Sequence, residues 1–340
     1  MKNYGKIVLV RRDKMAGTIT HAYFSMDLYD RLSIRSKELL VDYKEDLKMF
    51  SQNTDILFFY NITNFKKGKG LREFGYRTQK VKTYEFFSTL INYIKYNDHQ
   101  YHPQVMAYLY GMLSHYVLDS TVHPFIIYKT GQFDKNDKNT YKYNHLHNEF
   151  ESYFDNYLLR LREGINPNQF KCYKYCFNVE EFSKDLIEVM DFTYKEVFGV
   201  HNFHEYYWKA SRQMKFFYRV FRYDPTGIKR AFYSVVDFVC PKSLLRKVPL
   251  SYHIKLKKWK PFLNLDHNRW CNPTDKRTKS NESILELYTK ALAKTAKMIQ
   301  EINQYLYYDK KINLRRVIGN LSYETGKDCD KERELKYFEF

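Results

Sequence analysis

The residues of this chain that can do chemistry are concentrated in two motifs of histidines and carboxylates. The segment SHYVLDSTVHP contains His115, Asp119 and His123, spaced by four residues. On an α-helix this spacing keeps His115 and Asp119 on one face, and His123 lies at the predicted helix end. The segment HLHNEFES places His147 four residues before Glu151. Because imidazole and carboxylate groups suit zinc, the motifs indicate a metal site between two helices.

The same motifs have a simpler interpretation. A histidine and a carboxylate four residues apart on one helix often form an ion pair without a metal. Two such pairs close in the chain, with His123 between them, favour the metal site. Apolar neighbours such as Leu113, Val117 and Leu118 indicate that part of this face points inward. A buried charge is costly there, and a metal supplies its partner.

The elements that must position these residues are predicted to be helices. From Thr18 onward apolar residues recur every three or four positions, which is typical of an amphipathic helix. The apolar run 55–60 is compatible with a strand or a buried helix. Residues 65–70 (FKKGKG) are predicted to form a basic loop. Pro124 is expected to end a helix. The fold class is all-α, a multi-helix bundle. Further helical stretches are predicted at 36–50, 78–97, 103–122, 143–163, 179–197, 202–222, 226–237 and 282–307.

Composition limits the class of protein. The 340 residues are 44% hydrophobic, which excludes a disordered chain, and the net charge of +18 reflects either genome bias or an anionic partner. The longest early apolar run, 7–10, is far shorter than the roughly 20 residues of a membrane span. The five cysteines are too few for a disulfide framework, and we interpret Cys172 and Cys176 as thiols rather than metal ligands. We expect a cytoplasmic protein that can lie peripherally on a membrane.

Three segments are predicted along the chain. Residues 1–14 form an N-terminal extension, with Met15 as a candidate native start. Residues 15–310 form the helical domain, and 311–340 a short C-terminal segment and tail. No feature of the sequence indicates an oligomeric state.

The motifs resemble those of the bacterial zinc-dependent phospholipases C, in order over residues 16–160. The resemblance implies an all-helical domain of that type with two or three Zn²⁺ ions and cleavage of phospholipid headgroups. It also implies that Asp119 bridges two metals and that Asp55 is a ligand and a catalytic general base. The metal ligands that it implies are His21, Asp55, His115, Asp119, His123, His147 and Glu151.

The chain departs from the family pattern in three places, one of which is the spacing of four from Asp119 to His123, shorter than in the secreted enzymes. A family histidine falls in the stretch 75–80, where this chain has Gln79 or Thr78. Because an amide oxygen is a weak ligand, one zinc site is expected to be weak and activity is uncertain. The family also uses an N-terminal tryptophan as ligand, and this chain has no tryptophan before Trp208.

Two other functions stay open. Residues 208–260 hold fourteen basic and two acidic residues with interleaved aromatics, a pattern that suits an anionic membrane surface or single-stranded nucleic acid. Single-strand nucleases share the helical zinc fold, so a nuclease is the first alternative. A degenerate protein that binds metal and lipid without turnover is the second. His99 and His102 are predicted to lie on the surface, and His145 is a weaker rival to His147.

Overall fold

The computed structural model describes residues 17–62, 64–134, 136–165, 169–222, 224, 226–239, 260–331 and 333–339. The predicted extension 1–14, the candidate start at Met15 and residues 240–259 of the basic stretch 208–260 lie outside the described residues. The described helices are α1 Thr18–Arg31, α2 Ile34–Leu39, α3 Lys44–Phe50, α4 Phe65–Thr78, α5 Thr83–Tyr96, α6 Pro103–Thr130, α7 Leu146–Glu163, α8 Cys172–Tyr175, α9 Lys184–Phe198, α10 Phe203–Val220, α11 Ile228–Val239, α12 Ile284–Tyr308 and α13 Leu314–Ile318.

The all-α prediction is confirmed. Within the described ranges the sheet structure is one antiparallel pair, β1 (Trp270–Asn272) and β2 (Asp275–Ser280), with Trp270 opposite Ser280. Short 3₁₀ helices connect several α-helices, at Asn53–Phe59, His99–Tyr101, Lys138–Tyr143 and Lys260–Leu263. Among the described residues, no helix combines the length and apolar composition that crossing a bilayer requires.

Helix α6 is the central element, and the prediction that it ends before Pro124 is wrong. It runs for 28 residues and is buried on nearly all sides, by α3 and α12 among others. Packing on every face outweighs the local cost of a proline within a helix. Because Pro124 has no backbone N–H, the Ser120 carbonyl does not receive its usual helical hydrogen bond. Gly326, with φ of +61°, lies against this carbonyl. His123 therefore stays on the same helix as His115.

The segment predicted as a basic loop is the first half of α4. The Asn64 side chain caps this helix by accepting from the backbone N–H of Lys67. At Gly68 a Cβ would lie 2.3 Å from the Tyr60 carbonyl oxygen, so glycine permits close packing here rather than marking a loop. The ambiguous run 55–60 belongs mostly to the buried 3₁₀ helix Asn53–Phe59.

The C-terminal segment packs against the middle of α6 and the end of α4. The backbone N–H of Tyr323 donates to the carbonyl of Gln79, and the Tyr116 hydroxyl donates to the carbonyl of Ile318. Leu321 and Asp328 form an isolated antiparallel bridge that closes this turn. Residues from 318 to 328 thus contact the same elements that carry the histidine and carboxylate motifs.

Gly111 sets the distance between α3 and α6. A Cβ at this position would lie 2.7 Å from Phe50 Cβ and 2.9 Å from the Ser51 backbone nitrogen. We expect Gly111→Ala to lower the free energy of unfolding by about 1–3 kcal/mol, because the helices must separate. Urea unfolding followed by circular dichroism measures this.

Gly70→Ala is the matched control, since Gly70 is an exposed helical glycine whose Cβ would meet open space. It should raise the free energy of unfolding by about 0.5–1 kcal/mol, the usual gain of alanine over glycine in a helix. Equal unfolding midpoints for the two variants would contradict this account of helix packing.

Candidate metal centre

Helix α6 presents three candidate ligands along one buried stripe. His115, Asp119 and His123 are spaced by four residues on a helix that continues past all of them, so the side chains lie one above the other. All three are buried, and Asp119 is only 3% exposed. The sequence did not determine the direction of the His123 side chain. Because α6 continues past His123, this side chain lies on the same face as Asp119.

Asp119 lies among three imidazole rings. Its Oδ1 atom is 3.4 Å from Nε2 of His21 on α1 and 3.6 Å from Nε2 of His123. Its Oδ2 atom is 3.0 Å from Nε2 of His115, without the alignment of a hydrogen bond. The rings of His21 and His115 stack with centroids 4.1 Å apart. The carboxylate is thus shared by residues from two helices.

Two groups of potential ligands flank Asp119. In the first, ligand atoms of His21, Asp55 and His115 all lie within 4.8 Å of one another. Asp55 comes from the 3₁₀ helix Asn53–Phe59, and its Oδ2 is 4.0 Å from Nε2 of His115. The structure therefore brings together predicted ligands that are nearly one hundred residues apart in the chain.

The second group consists of His123, His147 and Glu151, whose ligand atoms also lie within 4.8 Å of one another. Oε1 of Glu151 is 3.4 Å from Nε2 of His123 and 3.1 Å from Nε2 of His147. His147 and Glu151 belong to α7, as their spacing predicted. The side chain of His147 is 17% exposed, the most of the three, so this group lies nearest to solvent.

Backbone carbonyls orient two of the histidines. Nδ1 of His115 is 2.9 Å from the carbonyl oxygen of Ser51, and Nδ1 of His123 is 3.1 Å from that of Tyr323. A carbonyl can only accept, so Nδ1 carries the proton in both rings. Their Nε2 atoms are thereby directed at Asp119, the arrangement that metal-binding histidines use.

The pKa values reflect a crowded set of opposite charges. Burial opposes ionisation of Asp119, but His115, His123 and His21 outweigh it and hold its pKa far below the ordinary value. Burial alone would lower the pKa of His115, yet Asp119 and Asp55 raise it to about 9. Burial, reinforced by His115, lowers the pKa of His21, and burial raises that of Glu151 to about 7.

The cluster contains buried polar atoms that the protein does not satisfy. Within the described residues, Nδ1 of His21, Nε2 of His115, Oδ2 of Asp119 and Oε2 of Glu151 have no hydrogen-bond partner. Leaving such atoms unpaired costs roughly 1–3 kcal/mol each. Nitrogen and carboxylate donors facing one another suit zinc, so this donor set fits a cluster of zinc ions.

Gln79, rather than Thr78, faces the cluster. Nε2 of Gln79 donates to Oδ1 of Asp55, and its Oε1 is buried without a hydrogen-bond partner among the described residues. The Thr78 hydroxyl instead donates to the carbonyl of Gly75. The position at which a histidine was expected is therefore held by an amide that contacts the predicted catalytic carboxylate.

Sequence reasoning missed Asp155, which fixes the start of α1. Its carboxylate accepts from the backbone N–H groups of Ile19 and Thr20 and from the Thr20 hydroxyl, at 3.2, 2.7 and 2.7 Å. Burial raises its pKa to about 7. Its position, four residues after Glu151 on the same face of α7, was the available signal. Asp155 thereby holds His21 next to the cluster.

The other histidine predictions have mixed outcomes. His145 is buried at the N-cap of α7 with φ of +67° and joins neither group of ligands. His102 is exposed as predicted, but the surface prediction for His99 is wrong, because packing against Tyr93 and α9 leaves it only 5% exposed.

A family model described as zinc dependent phospholipase C matches residues 20–210. This chain belongs to the zinc-dependent phospholipase C family. The matched range includes both groups of ligands and Asp119, so the resemblance seen in the sequence is confirmed at the level of the family. No curated protein and no solved structure matches the chain.

Gln79 offers a direct test of the zinc-dependent phospholipase C site. We expect Gln79→His to increase the zinc retained per chain, because an imidazole nitrogen binds zinc better than an amide oxygen and would lie beside Asp55. Dialysis against a weak chelator, followed by elemental analysis, measures retained zinc. Thr78→His is the control, since that side chain faces Gly75, and it should leave zinc unchanged. Equal retention in the wild type and Gln79→His would show that this position does not contribute to the metal centre.

Proposed function

We propose that this protein is a zinc-dependent phosphodiesterase that removes the headgroup from phospholipids at an anionic membrane surface. The observation that carries the proposal is the position of Asp119 between two groups of zinc-type ligands in a member of this family. We propose two or three Zn²⁺ ions. A cytoplasmic location remains a prediction.

The proposed zinc ligands form two groups, one on each side of Asp119. His21, Asp55 and His115 would hold zinc on one side of Asp119, and His123, His147 and Glu151 on the other. When bound, clustered zinc ions supply positive charge that offsets a phosphodiester and lowers the pKa of water. The products would be a diacylglycerol-like alcohol and a phosphorylated headgroup.

Asp55 is the proposed general base. Its Oδ1 accepts from Gln79, which fixes the plane of the carboxylate, and its Oδ2 points toward His115. A base must be held within reach of the proton that it removes, and the hydrogen bond from Gln79 limits the motion of this side chain. Gln79 would then act as a positioning residue for Asp55.

Helix α11 supports a lipid surface as the place of action. Ile228, Phe232, Val235 and Val239 recur on one face of this helix and are each at least 60% exposed. Basic residues such as Lys229 accompany them. An apolar face flanked by basic residues is typical of helices that lie in the membrane interface.

The same region gives less support to a nuclease. Phe217 and Tyr218 are buried and pack against Phe59, so their faces are not available to stack on bases. Phe216 is exposed, whereas Tyr223 and Trp259 lie outside the described residues. On α11 the exposed Ile228, Val235 and Val239 do not provide the stacking on which single-strand binding depends. Phe232 and Phe238 are the exposed aromatic side chains of this helix.

The substrate assay separates the three functions. We expect zinc-loaded protein to release phosphorylated headgroup from phosphatidylcholine vesicles that contain an anionic lipid, and to lose this activity on chelation and regain it with added zinc. Single-stranded DNA should stay intact. Cleavage of DNA without cleavage of lipid would favour the nuclease, and tight zinc binding without hydrolysis of either substrate would favour the degenerate protein.

A further inference from the structure

A second cluster of metal-type ligands lies where α5, α6 and α9 meet. His99 belongs to the short 3₁₀ helix His99–Tyr101, His102 directly precedes α6, and Asp185 lies in the first turn of α9. One ligand atom from each of the three residues falls within 4.8 Å of the other two. The cluster joins parts of the chain that are more than eighty residues apart.

Both imidazoles converge on the Asp185 carboxylate. Nδ1 of His99 is 3.5 Å from Oδ1 of Asp185, and Nδ1 of His102 is 3.3 Å from its Oδ2. The two rings are 5.6 Å apart and inclined by 62°. Two nitrogens and one carboxylate facing a common point form a donor set suited to zinc.

His99 is a buried imidazole whose nitrogens are unsatisfied. It is 5% exposed, and within the described residues neither Nδ1 nor Nε2 has a hydrogen-bond partner. A buried polar side chain without partners is costly. A cation coordinated by Nδ1 would remove part of this cost.

The surroundings of His99 match those of metal-binding histidines. Its Nε2 lies 3.8 Å from Oε1 of Glu188, which accepts a hydrogen bond from the Tyr93 hydroxyl at 2.6 Å. A carboxylate beside the second ring nitrogen is the common way to orient a ligating histidine. Ser183 caps α9 and donates its backbone N–H to Gln104, so Asp185 is held relative to α6.

We propose that His99, His102 and Asp185 bind one divalent transition-metal ion at a site separate from the Asp119 cluster. Two imidazoles and a carboxylate favour zinc as this ion. His115 lies thirteen positions after His102, a rise of about 20 Å along α6, so the two sites are well separated. The exposed fractions of the side chains, 47% for His102 and 35% for Asp185, give the ion access from solvent. The ion links the α5–α6 junction to α9 and stabilises the packing of these helices.

The test compares variants of the full chain, stripped with a chelator and titrated with zinc alone. His102→Ala and Asp185→Asn remove ligands with exposed side chains, so the fold is preserved. Each variant should bind about one zinc ion per chain less than the wild type, and zinc should raise its melting temperature less. Phosphodiesterase activity at saturating zinc should stay unchanged, which separates this site from the Asp119 cluster.

His204→Ala is the matched control. His204 pairs with Asp191 at 2.7 Å, but no third ligand joins this pair into a metal-type group in the part of the chain that the structure describes. Its zinc stoichiometry should equal that of the wild type. Wild-type stoichiometry and an unchanged thermal response to zinc in both His102→Ala and Asp185→Asn would overturn the proposal, whether or not the Asp119 cluster binds metal.

Discussion

The structure depends on one buried carboxylate. Asp119 is almost inaccessible to water, yet it stays ionised because the imidazoles of His21, His115 and His123 surround it. Burying a charged group is unfavourable unless the fold holds polar or oppositely charged partners beside it. The architecture can be understood as the means of holding those partners.

A different structural feature positions each of the three histidines around Asp119. The length of α6 fixes His115 and His123 relative to Asp119, and Gly111 lets α6 approach the Ser51 carbonyl that orients His115. Asp155 anchors the start of α1, while the C-terminal segment supplies the Tyr323 carbonyl to His123. The C-terminal segment 311–340 therefore contributes to the surroundings of the candidate metal centre.

The features of the site that could be predicted are those that depend on residues close together in the sequence. Spacings of four residues indicated the candidate ligand pairs on α6 and α7, and periodicity predicted the all-α class. Local rules failed where tertiary contacts outweigh them. Pro124 lies within α6 because packing surrounds that helix, and Gly68 of α4 permits a close contact rather than marking a loop. The burial of His99 and the role of Tyr323 depend on distant segments, which no spacing reveals.

Anomalous diffraction at the zinc absorption edge, from crystals of the full chain grown with zinc, tests the central claim most directly. The account predicts strong peaks on both sides of Asp119, one beside His21, Asp55 and His115 and one beside His123, His147 and Glu151. Absence of any peak within coordination distance of the Asp119 carboxylate would contradict it. The cluster would then be a network of buried ion pairs rather than a metal centre.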